Sequence, residues 1–229
     1  YVDDMLLSGR HTGELTELVR KLQLKFAMKD LGPARHILGM KISRNRAKRQ
    51  LFLSQTDYIG RVLERFNMQS TKSASTPLPI HLRLSWRDCP TSGLEGEDMK
   101  LVPYAPVVGS LMYATIATRP DISRAAGVVS RFMYNPDRSH WNAVKHVLRY
   151  LAGTKDHDIF FGPNPTSGVV GYTDSDFAGY VDSRKSTTGY CFKFGNGAIS
   201  WKSKLQDCTA TSTTEAEYVA ASDAAKEAL

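Results

Sequence analysis

Cysteine is scarce. The 229 residues hold three, Cys89, Cys191 and Cys208, an odd number and never in C-x-x-C spacing. That argues against a disulfide framework or a zinc site and fits a reducing compartment. No apolar run approaches the ~18 residues of a membrane span, and the first residues lack the basic region of a secretory signal. There is no Gly-rich phosphate loop and no nucleophile–histidine arrangement, so nothing in the residues points to a nucleotide-binding P-loop or an acyl-transfer enzyme. Negative charge is short in one part only. Residues 1–165 carry 24 Lys and Arg against 15 Asp and Glu, a net +9, whereas residues 166–229 carry 6 against 8, a net −2. A basic body with a mildly acidic tail suits a protein that holds a polyanion in one part and does carboxylate chemistry in the other, although +9 over 165 residues is also an ordinary soluble surface.

What is present starts with Tyr1-Val2-Asp3-Asp4, two adjacent carboxylates at the head of the apolar run Met5-Leu6-Leu7. Hard divalent cations such as Mg²⁺ take oxygen ligands. Asp3 and Asp4 are therefore expected to serve a metal site whose other ligands lie outside this chain, which begins without methionine.

The periodicity divides the chain into four stretches. In 1–66, residues 1–7 read as a strand. Thr12 to Met28 reads as an amphipathic helix with Leu15, Leu18, Val19, Leu22 and Phe26 on one face, ended by Leu31-Gly32-Pro33. Two apolar runs, His36 to Ile42 and Leu51 to Leu53, flank a strongly basic turn and read as a hairpin. Ser54 is then placed to cap a helix with Ile59, Val62, Leu63 and Phe66 inward. Residues 67–103, rich in Ser, Thr, Pro and Gly, read as a linker or extended strap. Residues 104–165 read as a helical bundle, with helices from Pro106 to Ala117, from Arg119 to Tyr134, and from a Ser139 cap to Gly153.

In 166–229 the pattern switches to strands: Val169 to Asp174, Thr187 to Phe194 and Ala198 to Lys202, the last two joined by Gly195-Asn196-Gly197. An alanine-rich helix from Ser212 to Leu229 follows, opened by the capping box Ser212-Thr213-Thr214-Glu215. The expected fold is mixed α+β, ending in a three-stranded antiparallel meander plus one helix that covers one face and leaves the other bare.

Asp174 and Asp176 share one face of a strand expected to be buried. Glu215 is accounted for by the capping box. Glu217, with Ala220, Ala221 and Ala224 near it, is expected on the small face that meets the sheet, where a carboxylate is costly unless paired or bound to a cation. Asp174 facing Glu217 would make half of a two-metal phosphodiester-cleaving site. His140 and His146 are six apart and not at metal-pair spacing, so they read as core or surface histidines. Tyr180, Tyr190 and Trp201 could stack on bases, but aromatics beside strands are more often core.

Taken in order, several segments closely resemble the Pol polyprotein of copia-type LTR retrotransposons over essentially the whole chain. Tyr1-Val2-Asp3-Asp4 is similar to the Y-x-D-D box of reverse transcriptase. Lys29-Asp30-Leu31-Gly32-Pro33 and Leu38-Gly39-Met40-Lys41-Ile42 resemble the stretch running into the primer grip. Ser75-Thr76-Pro77-Leu78, Val108-Gly109-Ser110-Leu111-Met112-Tyr113 and Thr118-Arg119-Pro120-Asp121-Ile122 are distinctive of the family. So are Tyr172-Thr173-Asp174-Ser175-Asp176, Arg184-Lys185-Ser186-Thr187-Thr188-Gly189-Tyr190, Ile199-Ser200-Trp201 and Ser212-Thr213-Thr214-Glu215-Ala216-Glu217-Tyr218.

The resemblance implies the end of a reverse transcriptase palm near residue 10, a thumb-like and connecting region to about 165, and a partial RNase H-like domain from 166. It implies RNA-directed DNA polymerase and RNase H activities in the parent protein, with two Mg²⁺ or Mn²⁺ ions in each complete active site. Asp3 and Asp4 would be polymerase ligands, and Asp174 and Glu217 RNase H ligands, with the remaining ligands outside this chain. Lys41, Arg44, Arg46, Lys48 and Arg49 would touch nucleic acid close to the primer. The implied partners are an RNA template, a DNA primer, an RNA–DNA hybrid and other parts of the same polyprotein, with no membrane. The implied location is the cytoplasm, in a virus-like particle, or the nucleus. The rival expectation is a non-catalytic remnant or a basic nucleic-acid-binding protein.

Overall fold

Apolar residues at i, i+3 and i+4 give helix α2 (Thr56–Arg65) its inward face of Ile59, Val62 and Leu63. That face meets the strongly apolar α4 (Tyr104–Ala117), α5 (Ser123–Ser130) and α6 (Arg138–Gly153) in one core. Val107, Val108, Leu111, Val129, Val144 and Leu148 are fully enclosed there. The structure is a computed structural model and describes residues 5–91, 93–163 and 168–229. Its described residues form seven α-helices and two antiparallel sheets, a mixed α/β fold.

The first sheet has the order β1-β2-β3-β4 and comprises β1 (His36–Ile37), β2 (Met40–Asn45), β3 (Gln50–Ser54) and β4 (Ile159–Phe161). The single run expected from His36 to Ile42 is broken by a two-residue turn, Leu38 and Gly39, both at positive φ (48° and 70°). Such turns match the twist of antiparallel strands, and Tyr113 on α4 anchors this one by donating its hydroxyl hydrogen to the Leu38 carbonyl. Strand β4 was not expected. It is only three residues long and pairs with β3 across about a hundred residues of sequence, Leu53 opposite Ile159. A contact that distant leaves no local pattern to read. The first stretch and the helical stretch thus share both a sheet and a core.

The strap departs from the linker reading. Leu84 and Met99 are buried, and Leu78, Leu82, Cys89 and Val102 are packed or partly buried against the same core. It is tied down by backbone and side-chain bonds, with Arg149 donating to the Lys72 carbonyl at 2.7 Å, and it contains α3 (Gly93–Lys100) and a 3₁₀ turn at Trp86–Asp88.

Helix α1 (Thr12–Lys25) ends sooner than the expected Met28, because Phe26 is already extended. None of its residues is buried, and Leu18 is 42% exposed. The helix following β3 has Gln55, not Ser54, at its N-cap, although the Ser54 hydroxyl does accept from the Thr56 amide. Helix α6 starts from Asp137, whose carboxylate accepts from the His140 amide at 2.9 Å, and not from Ser139. His140 is enclosed and stacks on Phe132 with ring centroids 3.9 Å apart.

The second sheet is the meander β5 (Val170–Ser175), β6 (Thr187–Phe194) and β7 (Gly197–Leu205), with helix α7 (Thr213–Ala228) over β5 and β6. Gly195 and Asn196, at φ 56° and 67°, make the tight β6–β7 turn. Two expectations fail here. Edge strand β5 is exposed along Val170 to Asp174, not buried. And the face of the sheet away from α7 is not bare: it meets the end of α4 and α5, with the Trp201 indole donating to the Thr115 carbonyl at 2.7 Å. No described helix is long and apolar enough to cross a membrane.

Candidate nucleic-acid interface and acidic cleft

The β2–β3 hairpin gathers the five expected cations. Asn45 pairs with Gln50, and Arg46-Ala47-Lys48-Arg49 form the turn between them. The Asn45 side chain accepts from the Lys48 amide at 3.1 Å, and Arg49 takes positive φ (53°), so the turn is ordered by its own backbone. All five cations are exposed, and among the described residues none is paired with a carboxylate. Lys41 and Arg44 lie three apart on the strand and so project from opposite faces, while Arg46, Lys48 and Arg49 crowd the tip. Exposed cations crowded on one turn repel one another, and a phosphate chain relieves that repulsion.

The acids of the tail are arranged differently from the expectation. Asp174 pairs with Gly189 and Ser175 with Thr188. Thr188 and Tyr190 are buried beneath α7: the Gln206 side chain links Thr188 to the Ala216 carbonyl, and Tyr190 donates to Glu227. Cross-strand partners share a face, so Asp174 lies on the opposite side of the sheet from α7. Asp176 lies on that side with it. Its carboxylate accepts from the Thr187 amide and from Arg124 at 3.1 Å.

Glu217 is exposed, because α7 buries Ala216, Ala220 and Ala224, and Glu217 stands about 100° round from Ala216. Asp174 and Glu217 therefore do not face each other. Glu215 acts as expected at the helix start, except that its carboxylate reaches the Thr211 amide and hydroxyl, both at 2.7 Å, which hold it below the usual carboxylate range. Asp3 and Asp4 lie outside the described residues. Among the described residues, no three His, Cys, Asp or Glu side chains are grouped to hold a metal ion.

Asp174 and Asp176 instead line an open cleft of about 340 Å³, with Asp121 and Arg124 across from Tyr172, Trp201 and Lys202. Asp121 is already committed. Burial pushes its carboxyl up, but Arg119 and the Tyr150 hydroxyl outweigh that and hold it below the ordinary value. Arg119 itself is only 1% exposed, a burial that an arginine in a turn does not announce. It donates to Asp121 at 2.7 and 2.9 Å and to the Thr154 carbonyl and hydroxyl. Asp182 was missed as well. It accepts from the Ser85 hydroxyl and from the Trp86 amide at 3.0 Å, closing the cap of the strap's 3₁₀ turn from 96 residues away. The Asp182 contact has no local signal, and the Arg119–Asp121 pair, although local in sequence, is buried only through contacts with Thr154 and Tyr150.

Residues 1–80 match the family model described as reverse transcriptase (RNA-dependent DNA polymerase). The chain is 57% identical over its full length to the retrovirus-related Pol polyprotein from transposon TNT 1-94 of Nicotiana tabacum, of which it spans 17%. It is 40% identical over 95% of its length to the Pol polyprotein from transposon RE2 of Arabidopsis thaliana, spanning 14% of that protein. An uncharacterized mitochondrial protein of Arabidopsis thaliana is 39% identical over 95% of the chain and is covered to 87% of its own length. No solved structure matches. The chain belongs to the Pol polyprotein family of copia-type LTR retrotransposons.

Proposed function

We propose that this chain is a nucleic-acid-holding part of a retrotransposon Pol polyprotein, and that the β2–β3 hairpin grips the phosphate backbone. The observation that carries the reading is five exposed cations on one hairpin, none paired with a carboxylate among the described residues. RNA template, DNA primer and RNA–DNA hybrid are the partners this reading allows. Polymerase and RNase H activity are assigned to the parent protein.

In the parent, Mg²⁺ or Mn²⁺ would polarise the reacting phosphate and activate the attacking oxygen. Asp3, Asp4, Asp174 and Glu217 are the carboxylates assigned to it. Asp174 and Glu217, on different sides of the second sheet, do not fit a shared two-metal site as they stand. Binding is thus the better supported reading for the chain itself. A catalytic reading keeps one point in its favour: Asp174 is exposed and lines an open cleft.

Binding of an RNA–DNA hybrid, followed by fluorescence anisotropy across a salt series, separates the two. Affinity should fall steeply with salt, and replacing Arg46, Lys48 and Arg49 by Ala should lower the log–log slope by about 1 per residue. Asp174→Asn should leave binding intact or slightly tighter. A salt-independent affinity would sink the phosphate-binding reading. Mg²⁺-dependent cleavage of the hybrid that disappears in Asp174→Asn would put the catalytic reading first.

A further inference from the structure

The first sheet carries more than its charged turn. Ser43, Phe52 and Phe160 stand opposite one another on β2, β3 and β4 and so share one face. Lys41 lies on that face too, one step along β2 from Ser43 and diagonal to Phe52. The alternation on β2 tells which side meets water: Lys41 and Ser43 are exposed, while Met40 and Ile42 are half-buried. The other side holds Ile42, Leu53, Ile159 and Phe161. Ile159 is 7% exposed there, and the Phe161 ring occupies the space where a Cβ on Gly197 would sit, so the β6–β7 turn closes that side.

On the open side the Phe52 and Phe160 rings lie 5.0 Å apart, tilted by 40°, and both residues are only half-buried. The Phe160 ring also lies over Gly162, where any Cβ would come within 2.5 Å of it. A cross-strand aromatic pair steadies a sheet. Here the pair also stands within a strand's length of the exposed cations of the turn.

We infer that this face is a stacking platform for an unpaired nucleic-acid strand, with Phe52 and Phe160 taking bases while Lys41 and the Arg46, Lys48 and Arg49 turn take the phosphates beside them. The inference rests on the hairpin's nucleic-acid reading and narrows it. A duplex hides its base faces, so rings add nothing to duplex binding, whereas every unpaired base offers a π-face to an aromatic side chain. Rings and ammonium groups do not sense a 2′-hydroxyl, so an unpaired DNA strand is a sufficient probe.

The experiment compares the full chain with Phe52→Leu, Phe160→Leu and the double variant, which keep an apolar side chain and remove the ring. Affinities for oligothymidylate and for duplex DNA are measured across a salt series. Each Leu variant should bind oligothymidylate about tenfold more weakly. Its salt slope should be unchanged, because no phosphate contact is lost. Duplex affinity should not change, which also reports an intact fold. Unchanged oligothymidylate affinity in the double variant overturns the platform and leaves the hairpin reading standing. If the wild-type chain binds neither probe, the hairpin reading fails first. Should the Leu variants not fold, 2-aminopurine in the bound strand of the wild-type complex decides: its fluorescence is quenched by stacking, and no quenching overturns the platform.

Discussion

Arg119 and Asp121 are two residues apart in a turn, yet they hold α4 to the end of α6 through Thr154 and Tyr150. Removing one partner of a buried pair leaves the other uncompensated. Arg119→Ala should therefore lower unfolding free energy by about 3 kcal/mol in urea titrations, and Arg119→Lys should recover only part, since an ammonium cannot make the two-pronged contact. The pH dependence follows from Asp121. Its carboxyl is held below the unfolded value, so its stabilisation is fully present above about pH 4 and is lost as pH falls through the lower folded value. Asp121→Asn should flatten the acid side of the stability curve below about pH 4. An unchanged acid slope would show that Asp121 is not the titrating group.

At the scale of elements, the hairpin that carries the cations is held by its other turn. Gly39 sits at φ 70°, and a Cβ there would come within 3.2 Å of the Tyr113 hydroxyl, which bonds the neighbouring Leu38 carbonyl. Gly39→Ala should cost about 1 kcal/mol or more from the left-handed backbone alone. It should also loosen the hairpin on α4, seen as faster amide exchange in residues 36–54 than in the core of α6. Equal exchange in both would mean that the turn does not anchor the hairpin. Helix α1 behaves in the opposite way: its spacing is helical, yet none of its residues is buried, so a correct periodicity carried no information about packing.

For the whole molecule, polar contacts help to join the second sheet to the helical core. Asp182 grips Ser85 and Trp86, Arg124 grips Asp176, and Trp201 reaches Thr115. Asp182 makes two of these bonds from one carboxylate, so Asp182→Ala should cost about 1–3 kcal/mol. Trp86, packed 5.2 Å from Phe132, should then report the release of the strap as a change in tryptophan fluorescence, and amide exchange should rise in both residues 84–89 and 178–186. If exchange rises in only one of those segments, the contact does not couple them.

Much of this chain is legible in the sequence. The apolar period of α2 and α6, the meander with its Gly195-Asn196 turn, the Ser212 cap and the basic hairpin are local patterns, written within a few residues each. The ordered motifs carried the family in the same local way. Tertiary structure alone decided which surfaces meet. An alanine-rich helix has small residues all round, so the buried stripe of α7 fell on Ala216, Ala220 and Ala224 and turned Glu217 outward. Register, a property of two strands together, put Asp174 on the side of the sheet away from α7. The pairing of β3 with β4 and the burial of Arg119 likewise depend on contacts between distant residues, and a single stretch of sequence holds only one half of each.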